Sequence, residues 1–281
     1  MNSRLKKIIL NALMEDLLPK GDITTECLIS DKHKSLFKLV VNESAILAGV
    51  RVFKETFKLL DKDILVKERF TDGDKVKKGQ IVATVLGRTS SILKGERTAL
   101  NFASHLSGIA TLTSELVNLV KGTRVILLDT RKTTPSLRAV EKQAVVCGKA
   151  KNHRQNLSEM ILIKDNHIKA IGGIKNAIQL ARRKYKSKTK IEVEVNNTNE
   201  LNEAIALKPD VIMFDNWNIR DLRRALKAVP RSIITEASGQ ITKENIRAYA
   251  STGVDYISSS YMIKNARWID FSLDLIKKDS K

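Results

Sequence analysis

The residues of this chain that could do chemistry gather at the ends of apolar runs. In VILLDTRKTTP, residues 125 to 135, an apolar stretch gives way without a break to Asp129, Thr130, Arg131, Lys132, Thr133 and Thr134. Similar endings recur downstream: His153 and Arg154 in KNHR, Lys164 and Asp165 in LIKD, Glu194 in VEV, Asp215 in MFD and Glu236 in TEAS. Arg97, in KGERTAL, adds a cation on a stretch of helical character. Arginine's planar fork donates two parallel hydrogen bonds and suits carboxylates, whereas lysine acts as a point charge. These cations opposite Glu194 and Asp215 make a site for a ligand with several negative charges plus a bound divalent metal. Two neighbouring carboxylates can share a Mg²⁺ that itself touches phosphate oxygens.

Two further segments read as phosphate cradles. EASGQI places Ser238, Gly239 and Gln240 at a strand end, ahead of a helix that Thr242 could cap, and YISSSY offers Ser258, Ser259 and Ser260 before Tyr261. Backbone N–H groups in such loops and at helix N-termini bind phosphate monoesters.

The elements that must position these residues follow from a repeat that starts near residue 122. Apolar, β-branched runs (TRVILLD, MILIKD, KIEVEV, DVIMFD, SIITEASG, VDYISSS) alternate with stretches of helical period. Parallel pairing follows, because a parallel strand needs a crossover. The polar residue at nearly every strand end favours a barrel over an open doubly wound sheet, since a barrel brings those ends to one mouth, with phosphate often held by the last two strands. The expected fold is α/β: an N-terminal open α/β sandwich domain over residues 1 to 112, and an incomplete TIM-like barrel of parallel strands over 113 to 266. A helix at about 267 to 281 is expected to rejoin the first domain. Within that domain short strands alternate with turn signals at Asp72-Gly73 and Lys78-Gly79 around a helix near 51 to 60, and one or two helices cover 94 to 120. DGDKVKKGQIVATVLG has the look of a lipoyl-carrier half-barrel but lacks a modifiable Lys at a hairpin tip, so it reads as structural.

Composition narrows the function. The 281 residues carry a net charge of +19, are 42% hydrophobic and only 5% aromatic, and contain no apolar run near the roughly 18 residues a membrane helix requires. The cations are scattered along the chain with no basic helix or aromatic RNA-binding motif, so a solvated surface that attracts small polyanions is expected, not nucleic-acid binding. The first residues read as an amphipathic helix, since Asn11, Glu15 and Asp16 interrupt what a secretory signal would need. Cys27 and Cys147 have no metal spacing and fit a reducing cytoplasm; Cys147, His153 and His167 match no zinc pattern.

GDITT, GERTALNF, LSGIAT, DTRKTTP, NHR, IKDNHI, EVEV, MFDN and EASG follow one another in this order. In this the chain resembles the quinolinate phosphoribosyltransferase family, from about residue 15 to 275. The resemblance implies transfer of the phosphoribosyl group of phosphoribosyl pyrophosphate to quinolinate with decarboxylation, giving nicotinate mononucleotide, pyrophosphate and carbon dioxide. It also implies a homodimer, or a hexamer of dimers, in which Arg97 reaches the partner's barrel mouth. Arg97, Arg131, Arg154 and Lys164, with His153 nearby, would hold the two quinolinate carboxylates. Lys132, beside Thr130, would contact phosphoribosyl pyrophosphate, and Glu194 and Asp215 would serve the ribose hydroxyls and Mg²⁺-pyrophosphate. Lys132, Glu194 and Asp215 are thus the expected catalytic set. Ser238, Gly239, Gln240, Ser259, Ser260 and Tyr261 would line the 5′-phosphate site.

The chain departs from the family pattern in three places. Gly148, Lys149, Ala150 and Lys151 stand where a run of glycines is common, Ser136 replaces a usual Gly, and Ser260 and Tyr261 replace Gly and Ala, adding Cβ atoms to the expected phosphate loop. The alternatives are a barrel phosphoribosyltransferase with another acceptor, such as the family's molybdenum-cluster relative, which typically lacks the KDNH segment, and a basic binding protein without activity.

Overall fold

The computed structural model describes residues 3 to 185 and 189 to 276. The chain divides into two compact units: Met1–Ser114 with Thr134–Lys149 and Asn265–Lys281, and Glu115–Thr133 with Ala150–Lys264.

The first unit begins with α1 (Ser3–Leu17), which buries Ile8, Ile9 and Leu13 along one face, and α2 (Ile23–Leu28), capped by Asp22. Then come β1 (Lys34–Val41), β2 (Ala45–Ile46), α3 (Val50–Leu60), β3 (Leu65–Glu68), β4 (Lys75–Val76), β5 (Ile81–Arg88) and α4 (Thr89–Leu119). The expected helices at 51 to 60 and 94 to 120 are therefore α3 and one continuous α4.

The alternating burial of β1 turns Phe37, Leu39 and Val41 inward, against Val50, Phe53 and Phe57 of α3 and Ile92, Ala99 and Ala103 of α4. Phe53 and Phe57 meet edge to face with ring centroids 5.0 Å apart. Burying one such ring contributes roughly 1.5 to 3 kcal/mol.

Two expectations are corrected in this unit. The segment expected as a helix at 267 to 281 instead forms a strand, Phe271–Leu275, antiparallel to β1, giving a sheet in the order last strand, β1, β5, β3; residues 277 to 281 lie outside the described residues. FSLDL has a period of two, with Phe271 and Leu273 buried, and that alternation fits a strand with one covered face. The helix after the first barrel strand, α5 (Arg138–Cys147), belongs to this unit and not to the barrel.

The second unit holds β6 (Ile126–Leu128), β7 (Ile161–Ile163), β8 (Ile191–Val195), β9 (Val211–Asp215), β10 (Ile234–Ser238) and β11 (Tyr256–Ser258), close to the six expected runs. Between and after them lie α6 (Asp165–Ile171), α7 (Ile174–Lys184), α8 (Thr198–Leu207), α9 (Ile219–Ala225), α10 (Ile246–Ala250) and α11 (Tyr261–Lys264). All six strands are parallel, in the order β6, β11, β10, β9, β8, β7. That is the cyclic order of a barrel with one seam left open, between β6 and β7, and Lys151 forms a bridge to Leu128 ahead of β7. Asn197 and Asn218, just beyond β8 and β9, cap α8 and α9 by accepting the N–H of Glu200 and Asp221, so the chain passes from strand to helix in a few residues.

Candidate active site

The open end of the second unit collects the charged residues singled out by the sequence. Lys164 follows β7, Glu194 lies near the end of β8, and Asp215 ends β9. Lys164 Nζ is ion-paired with Glu194 Oε1, the lysine side chain 42% exposed and the glutamate 9%. Burial raises the Glu194 carboxyl; Lys164 opposes the rise, while the charges of Asp215 and Glu192 add to it. The carboxylate oxygens of Glu194 and Asp215 are hard donors, the type of ligand that Mg²⁺ prefers. Asp215 Oδ2 accepts from Asn216 Nδ2 at 2.8 Å.

Thr130, Arg131 and Lys132 form the turn after β6. The Lys132 N–H donates to Thr130 Oγ1 at 3.0 Å and the Thr133 N–H to Arg131 O at 3.1 Å, a tight turn that leaves Lys132 exposed. Arg154 is buried, with Nη1 donating to Met160 O at 3.1 Å. Its pKa is lowered by burial first and by the charge of Arg131 second, with Glu192 and Glu194 acting against both. Arg131, Arg154 and Glu194 are thus electrostatic neighbours.

His153 is held on three sides. Its N–H donates to Oδ1 of the fully buried Asp129 at 2.8 Å, its Nδ1 accepts the Arg154 N–H at 2.8 Å, and its Nε2 stands 3.2 Å from Glu192 Oε2 and 3.6 Å from Glu236 Oε1. Asp129 and Glu236 are two of the expected strand-end residues, here without an assigned substrate contact; Glu192 is not among the expected residues. Its signal lies in the sequence: the alternation of EVEV puts Glu192 on the same face as Glu194, two residues along a strand.

The two expected phosphate loops meet. β10 and β11 are paired, and Ser259 Oγ donates to Ile241 O at 2.7 Å while accepting the Tyr261 N–H at 3.1 Å. Ser259 also donates its N–H to Leu128 O, so it ties these loops together. Gly239 (φ +96) and Gln240 (φ 48) have left-handed backbone, as does Asn216 (φ 58), whose N–H donates to Ser238 O at 2.9 Å. Strained backbone of this kind clusters at ligand sites. Ser260 and Tyr261 are not among the left-handed residues. Arg97 lies on α4 in the first unit, exposed.

The chain is similar to known proteins over nearly its whole length. Residues 22 to 107 match the model of the quinolinate phosphoribosyl transferase N-terminal domain, and residues 109 to 274 that of its C-terminal domain. The chain belongs to the quinolinate phosphoribosyltransferase family. It is 40% identical over 272 residues to a probable nicotinate-nucleotide pyrophosphorylase [carboxylating] of Bacillus subtilis, covering 97% of this chain and 93% of that one. The corresponding protein of Mycobacterium leprae is 37% identical over 276 residues, covering 95% of each chain. The solved nicotinate-nucleotide pyrophosphorylase of Francisella tularensis superposes with a TM-score of 0.93 at 38% identity, over 98% of this chain and 97% of that one.

Membership in the family explains the order in which the motifs occur. DTRKTTP supplies the turn after β6, NHR the segment before β7, IKD the end of β7, and EVEV, MFDN and EASG the ends of β8, β9 and β10. Among the described residues no helix is long and apolar enough to cross a membrane.

Proposed function

We propose that this chain transfers the phosphoribosyl group of phosphoribosyl pyrophosphate to quinolinate, with loss of carbon dioxide, giving nicotinate mononucleotide and pyrophosphate for NAD synthesis. The observation that carries this reading is the grouping of Arg131, Arg154 and Lys164 with Glu194 and Asp215 at one end of a parallel barrel. Two arginine forks and a lysine suit the two carboxylates of quinolinate, with His153 beside them. Lys132, exposed on its turn, contacts phosphoribosyl pyrophosphate. Ser238, Gly239 and Gln240 with Ser259, Ser260 and Tyr261 line the 5′-phosphate.

Glu194 and Asp215 face the ribose hydroxyls and balance the positive charge that develops on the ribose as pyrophosphate leaves. They are also the residues that would hold Mg²⁺, directly or through substrate or water; when bound, the ion supplies charge neutralisation for the pyrophosphate. Ribosylation makes the pyridine nitrogen cationic, and that charge stabilises the electron pair left on the adjacent ring carbon when its carboxylate departs as carbon dioxide, until the carbon takes up a proton from water. Positioning and charge complementarity do the main work, with no covalent nucleophile. Arg97 enters from a second copy of the chain in a homodimer or a hexamer of dimers. The setting is cytoplasmic, and the basic surface serves small polyanionic substrates rather than nucleic acid.

The test is turnover of quinolinate and phosphoribosyl pyrophosphate, followed as nicotinate mononucleotide with Mg²⁺ present or chelated, for wild type, Lys132→Ala and Arg154→Ala. The expected result is wild-type turnover that depends on Mg²⁺ and falls at least about a hundredfold in each variant. Folded wild-type protein without turnover overturns the reading.

A further inference from the structure

Three side chains beneath this site face one another: His153, Glu192 and Glu236. Both glutamates are 1% exposed, and the nearest ligand atoms of the three groups all lie within 4.8 Å of one another. That spacing would suit a first-row divalent metal. The hydrogen-bond partners of the ring argue otherwise. The Arg154 N–H donates to His153 Nδ1, so Nδ1 spends its lone pair there and carries no proton. A neutral imidazole then carries its proton on Nε2, the nitrogen facing the two carboxyls. A metal on Nε2 would demand an imidazolate.

We infer that Glu192 and Glu236 are positioning residues for the carboxylate-binding corner: together they face the Nε2–H of His153, fix its tautomer and leave Nδ1 to hold the Arg154 main chain. The inference rests on reading that corner as the site for the quinolinate carboxylates. The ties form a chain. Asp129 Oδ1, beyond β6, takes the His153 N–H; Glu192 of β8 and Glu236 of β10 face the ring; the ring takes the Arg154 N–H. One position just beyond β6 and two within β8 and β10 thereby fix the main chain that carries the Arg154 fork, and a fork binds a carboxylate bidentately only when its placement is set in advance. Glu236 Oε1, 3.6 Å from His153 Nε2, is buried without a hydrogen-bond partner among the described residues, while the same carboxyl is held from β11 by the Ser258 side chain, so it is anchored to the barrel wall and left open toward the ring. Burial, and next the charge of Glu192, raises the Glu236 carboxyl well above the usual range, which makes glutamine its closest isosteric replacement.

The experiment combines tautomer and kinetics. Long-range ¹H–¹⁵N spectra of ¹⁵N-labelled protein at neutral pH distinguish the four histidines, with His153 assigned by its loss in His153→Gln. The expected signature is a protonated Nε2 and an unprotonated Nδ1; a protonated Nδ1 overturns the inference. Glu236→Leu should raise KM for quinolinate about tenfold or more, with KM for phosphoribosyl pyrophosphate moving less than about threefold, and Glu236→Gln should recover most of the loss. Equal movement of both constants, or of neither, overturns it. If Glu236→Leu does not fold, the Glu236→Gln spectrum decides, with the Nε2–H form expected to persist. Wild-type protein that shows the expected tautomer but does not turn over quinolinate would retain the His153 arrangement and refute the substrate reading alone.

Discussion

Lys164 and Glu194 form an ion pair between the ends of adjacent parallel strands, and the pairing opposes the rise that burial imposes on the glutamate carboxyl. Burial raises the Glu194 carboxyl and Lys164 works against that rise, so removing the lysine lifts the carboxyl further. If catalysis uses ionised Glu194, activity appears as pH rises through its pKa. Lys164→Ala therefore shifts the acid limb of the kcat/KM profile to higher pH, in addition to its loss in rate. Glu194→Gln removes that limb and costs about a hundredfold to a thousandfold in kcat. Profiles of wild type and both variants check this, and an unmoved acid limb in Lys164→Ala refutes it.

Gly239 provides a second test, because its place beside Asn216 leaves no room for a methyl group. A Cβ there would lie 2.4 Å from Asn216 Oδ1 and 2.7 Å from Asn216 N, on a residue whose φ is already +96. Gly239→Ala must push the loop after β10 away from the loop after β9, and roughly 1 to 3 kcal/mol of strain corresponds to a tenfold to hundredfold rise in KM for phosphoribosyl pyrophosphate. KM for quinolinate should stay within about threefold, or within about 0.7 kcal/mol. Steady-state kinetics with each substrate varied in turn decides it.

The positions of these residues were legible in the sequence because strand ends announce themselves: an apolar β-branched run that stops at a charged residue needs only the parallel-strand rule to become a barrel mouth. What holds them was less legible. Asp129 and Glu236 were visible as strand-end carboxylates, but their attachment to His153 joins residues 24 and 83 positions apart, and no local pattern announces such a pair. α5 has the period of a barrel-layer helix, yet its buried Glu141 binds His105 Nε2 at 2.9 Å and the Thr134 N–H at 2.9 Å, and both of these groups are in the first unit. The final strand is hard to read because its period-two alternation spans only five residues, FSLDL, too few to separate it from a helical turn by sequence alone. Gly108, in LSGIAT, shows what a motif glycine can conceal: a Cβ there would sit 2.0 Å from Arg267 O, so it admits the segment leading to that strand.

The glycine replacements make a third prediction. Ser136 (φ 68) and Lys149 (φ 74) adopt the left-handed backbone that favours glycine, so the chain keeps a glycine-like conformation with other side chains. Left-handed backbone costs a non-glycine residue about 1 to 2 kcal/mol, part of which glycine forfeits through a freer unfolded chain. Ser136→Gly and Lys149→Gly should therefore each stabilise the protein by up to about 1 kcal/mol, read as a higher denaturation midpoint at unchanged slope. A lower midpoint in both would mean that side-chain contacts outweigh the backbone strain.

Arg97 allows the shared-site reading to be tested without any structure of the assembly. If each barrel mouth draws its Arg97 from the other copy, Arg97→Ala and Lys132→Ala homodimers are each inactive at both sites. After dissociation and random reassociation of an equal mixture, half of the dimers are hybrids. In a hybrid, the barrel with intact Lys132 receives an intact Arg97, and the other barrel has neither. One site in two, in half of the dimers, gives about a quarter of wild-type activity. If Arg97 served its own barrel, each hybrid subunit would still carry its own defect and activity would stay at the level of the parent variants. Activity of the mixture, measured beside each variant alone and with sedimentation to verify reassociation, separates the two arrangements.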